Sequence, residues 1–319
     1  MPLTTDEKLL ALSREVLQGF ERASGGIHPG FRPAHAKGVL VSGVFTPASE
    51  AAALTSAPHC AALSTPVTLR FSNFAGIPNV PDNDPRGASP RGCAIRFHLA
   101  PHVHTDIVMH SIDDFPARTV AEFMGFLNAL LATEPTGPHP NPIEQFLGSH
   151  PAALRFVQTP KPIPTSFARE SFFAVSAFRF TSSSGTSRFG RYRMLPEAGN
   201  EYLDAAGAAA QSPNFLFDEI GARLAAGPVT FRIAVQLADV GDTTDDATVR
   251  WPESRKLVDF GEIRLTGVLP DNASEQQHII FDPIPRVEGI EASPDPLFEP
   301  RANIYLMSGR RRRSDPATG

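Results

Sequence analysis

Residues 172–194 read FFAVSAFRF-TSSSGTS-RFGRYRM, and this stretch decides the fold class. Two strand-like runs flank a turn of small polar residues around Gly185, the pattern of a β-hairpin. The pattern recurs elsewhere. Residues 229–237 (VTFRIAVQL) alternate almost without a break. In 93–99 (CAIRFHL), Ile95, Phe97 and Leu99 share one face, and Arg96 and His98 the other. Residues 38–45 (GVLVSGVF), 67–73 (VTLRFSN) and 257–268 supply further short strands. These runs cluster, and no regular helical crossovers separate them. That predicts antiparallel pairing, and so an α+β protein built on an antiparallel sheet or barrel.

Helical spacing interrupts the strands. Residues 4–20 place Leu9, Leu12, Val16, Leu17 and Phe20 on one face, and Thr4 with Glu7 forms a capping-box pattern. A second helix is predicted over 118–132, with Val120, Phe123, Leu127 and Leu130 aligned, and a third over 143–157. A fourth starts at Ser212 with Pro213 in its first turn and stops at Gly227-Pro228. No repeat or low-complexity linker divides the chain, so residues 1–319 are expected to form one domain, with an irregular extension after residue 270.

Composition sets limits on function. The chain has 319 residues, 41% hydrophobic and 20% charged, with a net charge of −5, so nothing points to nucleic acid as a partner. No run of eighteen apolar residues exists, so no membrane span is expected. MPLTTDEKLL at the N-terminus lacks the basic and apolar regions of a signal peptide. Two cysteines, Cys60 and Cys93, do not make a disulfide framework, and a reduced, cytoplasmic protein is expected. The 23 phenylalanines suit a large apolar core or a pocket for a flat apolar cofactor.

Three places carry candidate chemistry. His35, in FRPAHAKGVLVSGVF, lies between Pro33 and Gly38 in a stiff stretch of backbone; alone it reads as a hydrogen-bonded turn histidine. In VTLRFSNFAG, strand alternation puts Arg70 and Ser72 on one face. A buried serine hydroxyl can fix a histidine ring, and an arginine can pair with a carboxylate. Near the C-terminus, RANIYLMSGRRRR places Arg301 and Tyr305 one helical turn apart. An arginine beside a phenol favours the phenolate, a hard anionic ligand suited to ferric iron. The plain alternative is an exposed helix end with a basic tail. His102 and His104 are two apart but have no evident third metal ligand, and read as a polar turn. Asp113-Asp114 reads as a solvated loop. No GxGxxG follows a strand, so no dinucleotide site is expected.

Taken in order, these pieces resemble the catalase superfamily. The resemblance rests on Arg32 with HAKG from His35, RFS at Arg70–Ser72 with Ala75-Gly76, and DPRG at Asp84–Gly87. It continues with FDP at Phe281–Pro283, GIEASPDP from Gly289, and Tyr305 ten residues after Asp295. It spans about residues 27–312 and is weak from 118 to 270. HSIDDFP (110–116), GRYRMLPEAG (190–199) and PNFLFDEI (213–220) look like the short catalase-related peroxidases, which keep the haem-binding barrel without the long arm and extra domain of full catalases.

The resemblance implies haem b, with iron held by Tyr305 and assisted by Arg301. It implies His35 as the distal histidine, Ser72 as its orienting partner, and Phe74 as a residue lining the distal side. Arg32, Arg70 and Arg312 match the arginines that hold the haem propionates. Full catalases carry DLVGNN where this chain has Asp106–Ser111, which puts Ser111 at the place of the asparagine facing the peroxide. Asn303 and Met307 likewise replace a phenylalanine and an aspartate of the proximal motif RLFSYPDT. The implied partners are a peroxide and a small organic reductant; a homodimer is left open, with the oligomeric state not read from the sequence. Hydroperoxide isomerisation or oxygen transfer, and haem carriage without catalysis, stay open at this point.

Overall fold

A computed structural model describes residues 2–134 and 136–316. The strands follow in chain order as β1 (Gly38–Pro47), β2 (Thr65–Ser72), β3 (Gly92–Ala100), β4 (Val103–His110), β5 (Ile163–Pro164) and β6 (Phe172–Phe173). Then come β7 (Phe178–Thr181), β8 (Ser187–Pro196), β9 (Tyr202–Leu203), β10 (Val229–Leu237), β11 (Leu257–Val268) and β12 (Ile290–Ala292). The helices are α1 (Glu7–Ala23), α2 (Ser49–Leu54), α3 (Pro58–Ala61), α4 (Val120–Leu131) and α5 (Pro142–Ser149). They continue with α6 (Pro151–Gln158), α7 (Ala205–Ala209), α8 (Phe215–Ala226), α9 (Asn272–His278) and α10 (Phe298–Ser314).

The expected antiparallel sheet closes on itself. Neighbours run β10-β11-β1-β2-β3-β4-β6-β8, and β8 pairs back with β10, which gives a closed eight-strand antiparallel barrel. Closure leaves these strands no free edge. β7 and β12 extend the sheet from β8, and β5 pairs with β9 outside it. The hairpin read from 172–194 is β7–β8, and its turn places Gly185 at φ 82°.

Alternation sends one set of side chains inward. Val67, Leu69 and Phe71 of β2, Cys93, Ile95 and Phe97 of β3, and Ile107 and Met109 of β4 join the main core. Phenylalanines dominate it, with Phe71 stacked on Phe167 at 5.0 Å between ring centres. The phenylalanine-rich composition is therefore used chiefly in the barrel core. A second apolar cluster lies outside the wall. Val16 of α1, Met124 and Leu127 of α4, and Ile304 of α10 meet there, and Tyr305 packs on its rim.

Three boundaries differ from the sequence reading. The first helix is capped by Asp6, whose carboxylate accepts from the amides of Lys8 and Leu9; Thr4 instead accepts from the Asp6 amide. The helix expected over 143–157 is two helices, because Pro151 has no amide to donate and disfavours helical backbone at His150. The region after 270 is not irregular. It holds α9 and the seventeen-residue α10. Among the described residues no helix is long and apolar enough to cross a membrane.

His59 of α3 sits in the core against Phe45, Phe97 and Phe260. It is 1% exposed, its Nδ1 has no partner, and burial pushes its imidazole down to about 4. The folded protein therefore keeps this ring neutral where the unfolded chain, at about 6.5, takes up a proton. Its contribution is intact above pH 6.5 and is lost as pH falls toward 4. Urea unfolding at pH 7.5 and pH 5 should show a loss of about 1–2 kcal/mol from this residue, removed in His59→Phe. An equal acid loss in wild type and variant would contradict this.

Candidate active site

The barrel register builds one wall of the site. In β2 the inward residues are Leu69 and Phe71, so Arg70 and Ser72 point outward. Ser72 pairs with Gly38 on β1 and with Gly92 on β3, and Gly92 pairs with His110 on β4. Residues opposite one another in adjacent strands point to the same side. One rung thus presents Ser72, a gap at Gly92, and His110 on the outer face.

His35 enters this gap from the loop before β1. Its backbone is left-handed, at φ 58°, which is costly for a residue with a side chain. The conformation is held by its amide, which donates to the Phe74 carbonyl at 2.6 Å, while the Ala36 amide donates to Ala75. A Cβ on Gly76 would collide with the Pro33 carbonyl, so glycine there lets the two loops meet. His35 Nδ1 lies 3.1 Å from Ser72 Oγ, and the Phe74 ring stands edge-on to the imidazole at 5.5 Å. A Cβ at Gly92 would lie 2.5 Å from Ser72 Oγ and 2.6 Å from His35 Nδ1. Burial, then the charges of Arg70 and His110, push the His35 imidazole down to about 3.

Three arginines gather beside it. Arg70 donates to the His35 and Ala36 carbonyls and to Gln276 Oε1. Arg32 donates to the carbonyls of Gln276 and Ile279, both at 3.0 Å. Arg312 donates to the same Ile279 carbonyl at 2.9 Å and to Ser308 Oγ at 2.8 Å. Every acceptor here is uncharged, although the end of α9 adds partial negative charge. Buried Arg312 keeps its Nε without any partner. The cost shows in the guanidinium groups. Burial and then Arg312 bring Arg70 down to about 9, and burial and then Arg32 bring Arg312 down to about 8. Arg32 is lowered by burial and then Arg70, while Tyr305 acts the other way.

Helix α10 supplies the opposite side. Arg301, Tyr305, Ser308 and Arg312 are spaced four, three and four apart and so share a stripe. Arg301 Nη2 lies 3.4 Å from Tyr305 Oη, with its guanidinium 5.8 Å from the ring centre. The charge of Arg301 also reaches His110, which ties this helix to the rung on β4.

The structure thus gathers Arg32, His35, Arg70, Ser72, Phe74, Arg301, Tyr305 and Arg312, but not Ser111. Ile107 and Met109 point inward, so the next outward residue after Val108 is His110. Ser111 leaves the strand, and its hydroxyl accepts from the Arg91 amide at 2.9 Å. Sequence reasoning also missed Gln276 and Ile279, which organise the arginines. The aspartate pair is not a solvated loop either. Asp114 is 1% exposed and pairs with Arg155 at 2.8 Å and Arg250 at 2.9 Å, while Asp113 pairs with Arg193 at 2.8 Å. His102 is exposed in the β3–β4 turn, and His104 lies 3.9 Å from Asp106. Among the described residues no group of three or more His, Cys, Asp or Glu side chains could hold a metal ion.

The catalase family profile matches residues 21–316. The chain belongs to the catalase family. It is an oxidoreductase acting on peroxide, and family membership implies a haem-iron cofactor. A catalase-related peroxidase of Mycolicibacterium paratuberculosis is 36% identical over 298 residues, covering 91% of this chain and 92% of the relative. One of Synechococcus elongatus is 30% identical, covering 93% and 88%. The fold is that of catalase A from Saccharomyces cerevisiae, with a TM-score of 0.77 at 20% identity. That match covers 98% of this chain, which spans 65% of the yeast catalase.

The gap at Gly92 yields a test. Gly92→Ala should leave the barrel folded, with an unchanged circular dichroism spectrum, but separate His35 from Ser72. Peroxide consumption by the haem-loaded variant should fall by about 10²-fold, the lower end of what a positioned acid–base group contributes. A wild-type rate would show that the tight packing around His35 is not functional.

Proposed function

We propose that this catalase-family chain is a haem b peroxidase that reduces hydrogen peroxide or organic hydroperoxides with a small organic donor. The observation that carries this is the cluster of half-buried Arg32 with buried Arg70 and Arg312, guanidinium groups with uncharged partners only, next to His35. Such a donor set fits a ligand carrying two carboxylates, as haem b does, since guanidinium binds carboxylate through parallel N–H groups.

Tyr305 would supply the oxygen ligand to iron, with Arg301 providing a cation beside that oxygen. Phe74 would line the same side as His35 and help keep water out. Bound there, haem would supply the redox-active iron at which a peroxide is reduced. His35 would take the proton of the entering hydroperoxide and return it to the departing oxygen, as base and then acid. With Nδ1–H donating to Ser72 Oγ, Nε2 presents its lone pair. Burial is the main cause of the low His35 imidazole, and carboxylates on the arginines would offset only the smaller contribution of Arg70 and Arg32. Two relatives named catalase-related peroxidases support a peroxidase, and the buried free cysteines Cys60 and Cys93 suit a reducing cytoplasm.

Haem titration of wild type and Tyr305→Phe, with dye oxidation and oxygen evolution measured on the same samples, tests the reading. Wild type should bind haem and oxidise the dye in the presence of peroxide. The variant should lose haem or change its absorption spectrum. Equal haem content and an equal spectrum would remove Tyr305 as the ligand. Vigorous oxygen evolution without dye oxidation would make the chain a small catalase.

A further inference from the structure

His110 stands on the same rung as Ser72, separated from it only by Gly92. A proton on His110 would lower His35, and burial and then Arg301 push the His110 imidazole itself down to about 4, so it is neutral. Its ring packs against Phe115, with centres 6.2 Å apart. The Ile112 amide donates to His110 Nδ1 at 3.4 Å, a long bond but one that sets the tautomer. An imidazole that accepts at Nδ1 and is neutral carries its proton on Nε2. That Nε2 is buried and has no hydrogen-bond partner. An unpaired buried donor is costly, and such groups in folded proteins call for an explanation.

We propose that His110 is a peroxide-binding residue, whose Nε2–H donates a hydrogen bond to the peroxide beside His35. The two imidazoles then divide the task. His35, oriented by Ser72, offers a lone pair; His110, oriented by the Ile112 amide, offers a proton donor. A hydroperoxide carries both an O–H to give and oxygen lone pairs to share, so it satisfies both at once. No proton leaves His110, and no bond to it forms. The glycine between Ser72 and His110 lets the His35 ring pack against this rung. This rests on the haem-peroxidase reading above.

The test uses fluoride, an anion whose affinity for ferric haem proteins rises with a nearby hydrogen-bond donor. In the haem-loaded protein, His110→Phe should weaken fluoride binding by about tenfold or more, the worth of one good hydrogen bond. His110→Gln, which keeps a donor, should stay within about threefold of wild type. Unchanged affinity in His110→Phe overturns the proposal, as does equal weakening in both variants. Should the phenylalanine variant fail to fold, nitrogen-15 NMR of the haem-free wild-type protein decides. The proposal requires the Nε2–H tautomer at His110, and an Nδ1–H tautomer overturns it. Failure of wild type to take up haem removes both the proposal and the peroxidase reading; normal uptake with unaltered fluoride affinity removes the proposal alone.

Discussion

Three guanidinium groups, two buried and one half-buried, that repel one another and find only neutral oxygens are the constraint around which this site is arranged. Arg32, Arg70 and Arg312 come from the loop before the barrel, from its second strand and from the last helix. Removing a charge from water is expensive unless an opposite charge replaces the lost solvent. Here the chain supplies carbonyls of Gln276 and Ile279, which hold the arginines in place without neutralising them. The protein's own charge balance is therefore incomplete at this point; elsewhere some buried aspartates are paired, Asp82 with Lys37 and Asp106 with Arg96, and buried Asp295 is not, among the described residues. Buried Arg191 also finds only carbonyls, but it stands alone; three guanidinium groups gathered at one place suit an anionic guest.

The rest of the site follows from register. Slipping β2 by a single residue would turn Ser72 into the core and bring Phe71 out, and slipping β4 would do the same to His110 and Met109. Barrel closure, with β8 pairing to β10, removes the freedom to slip at an edge. Rigidity in the wall matters because His35 is held in a left-handed conformation by two loop hydrogen bonds. The strain is local, and the surrounding structure fixes it in place.

Much of this was legible in the sequence. Alternation revealed the strands of the wall and placed Arg70 with Ser72. Spacing put Arg301 beside Tyr305 on a helix. What could not be read depends on residues far apart in the chain. Asp114 is buried because Arg155 and Arg250 close over it, 41 and 136 residues downstream. Gln276 and Ile279 looked like irregular chain, since α9 has seven residues and no apolar periodicity. His110 was within reach: Ile107 and Met109 mark the inward positions of β4, and extending that parity singles out His110 over Ser111.

The arginine cluster, on this reading, is the seat of two carboxylates. The most direct measurement compares the affinity of the haem-free protein for iron protoporphyrin IX with that for its dimethyl ester. The ester keeps the ring, the iron and the apolar surface, and lacks both negative charges. The ester should bind at least about 10²-fold more weakly, as expected when charged partners of buried guanidinium groups are lost. Equal affinity for acid and ester would contradict it.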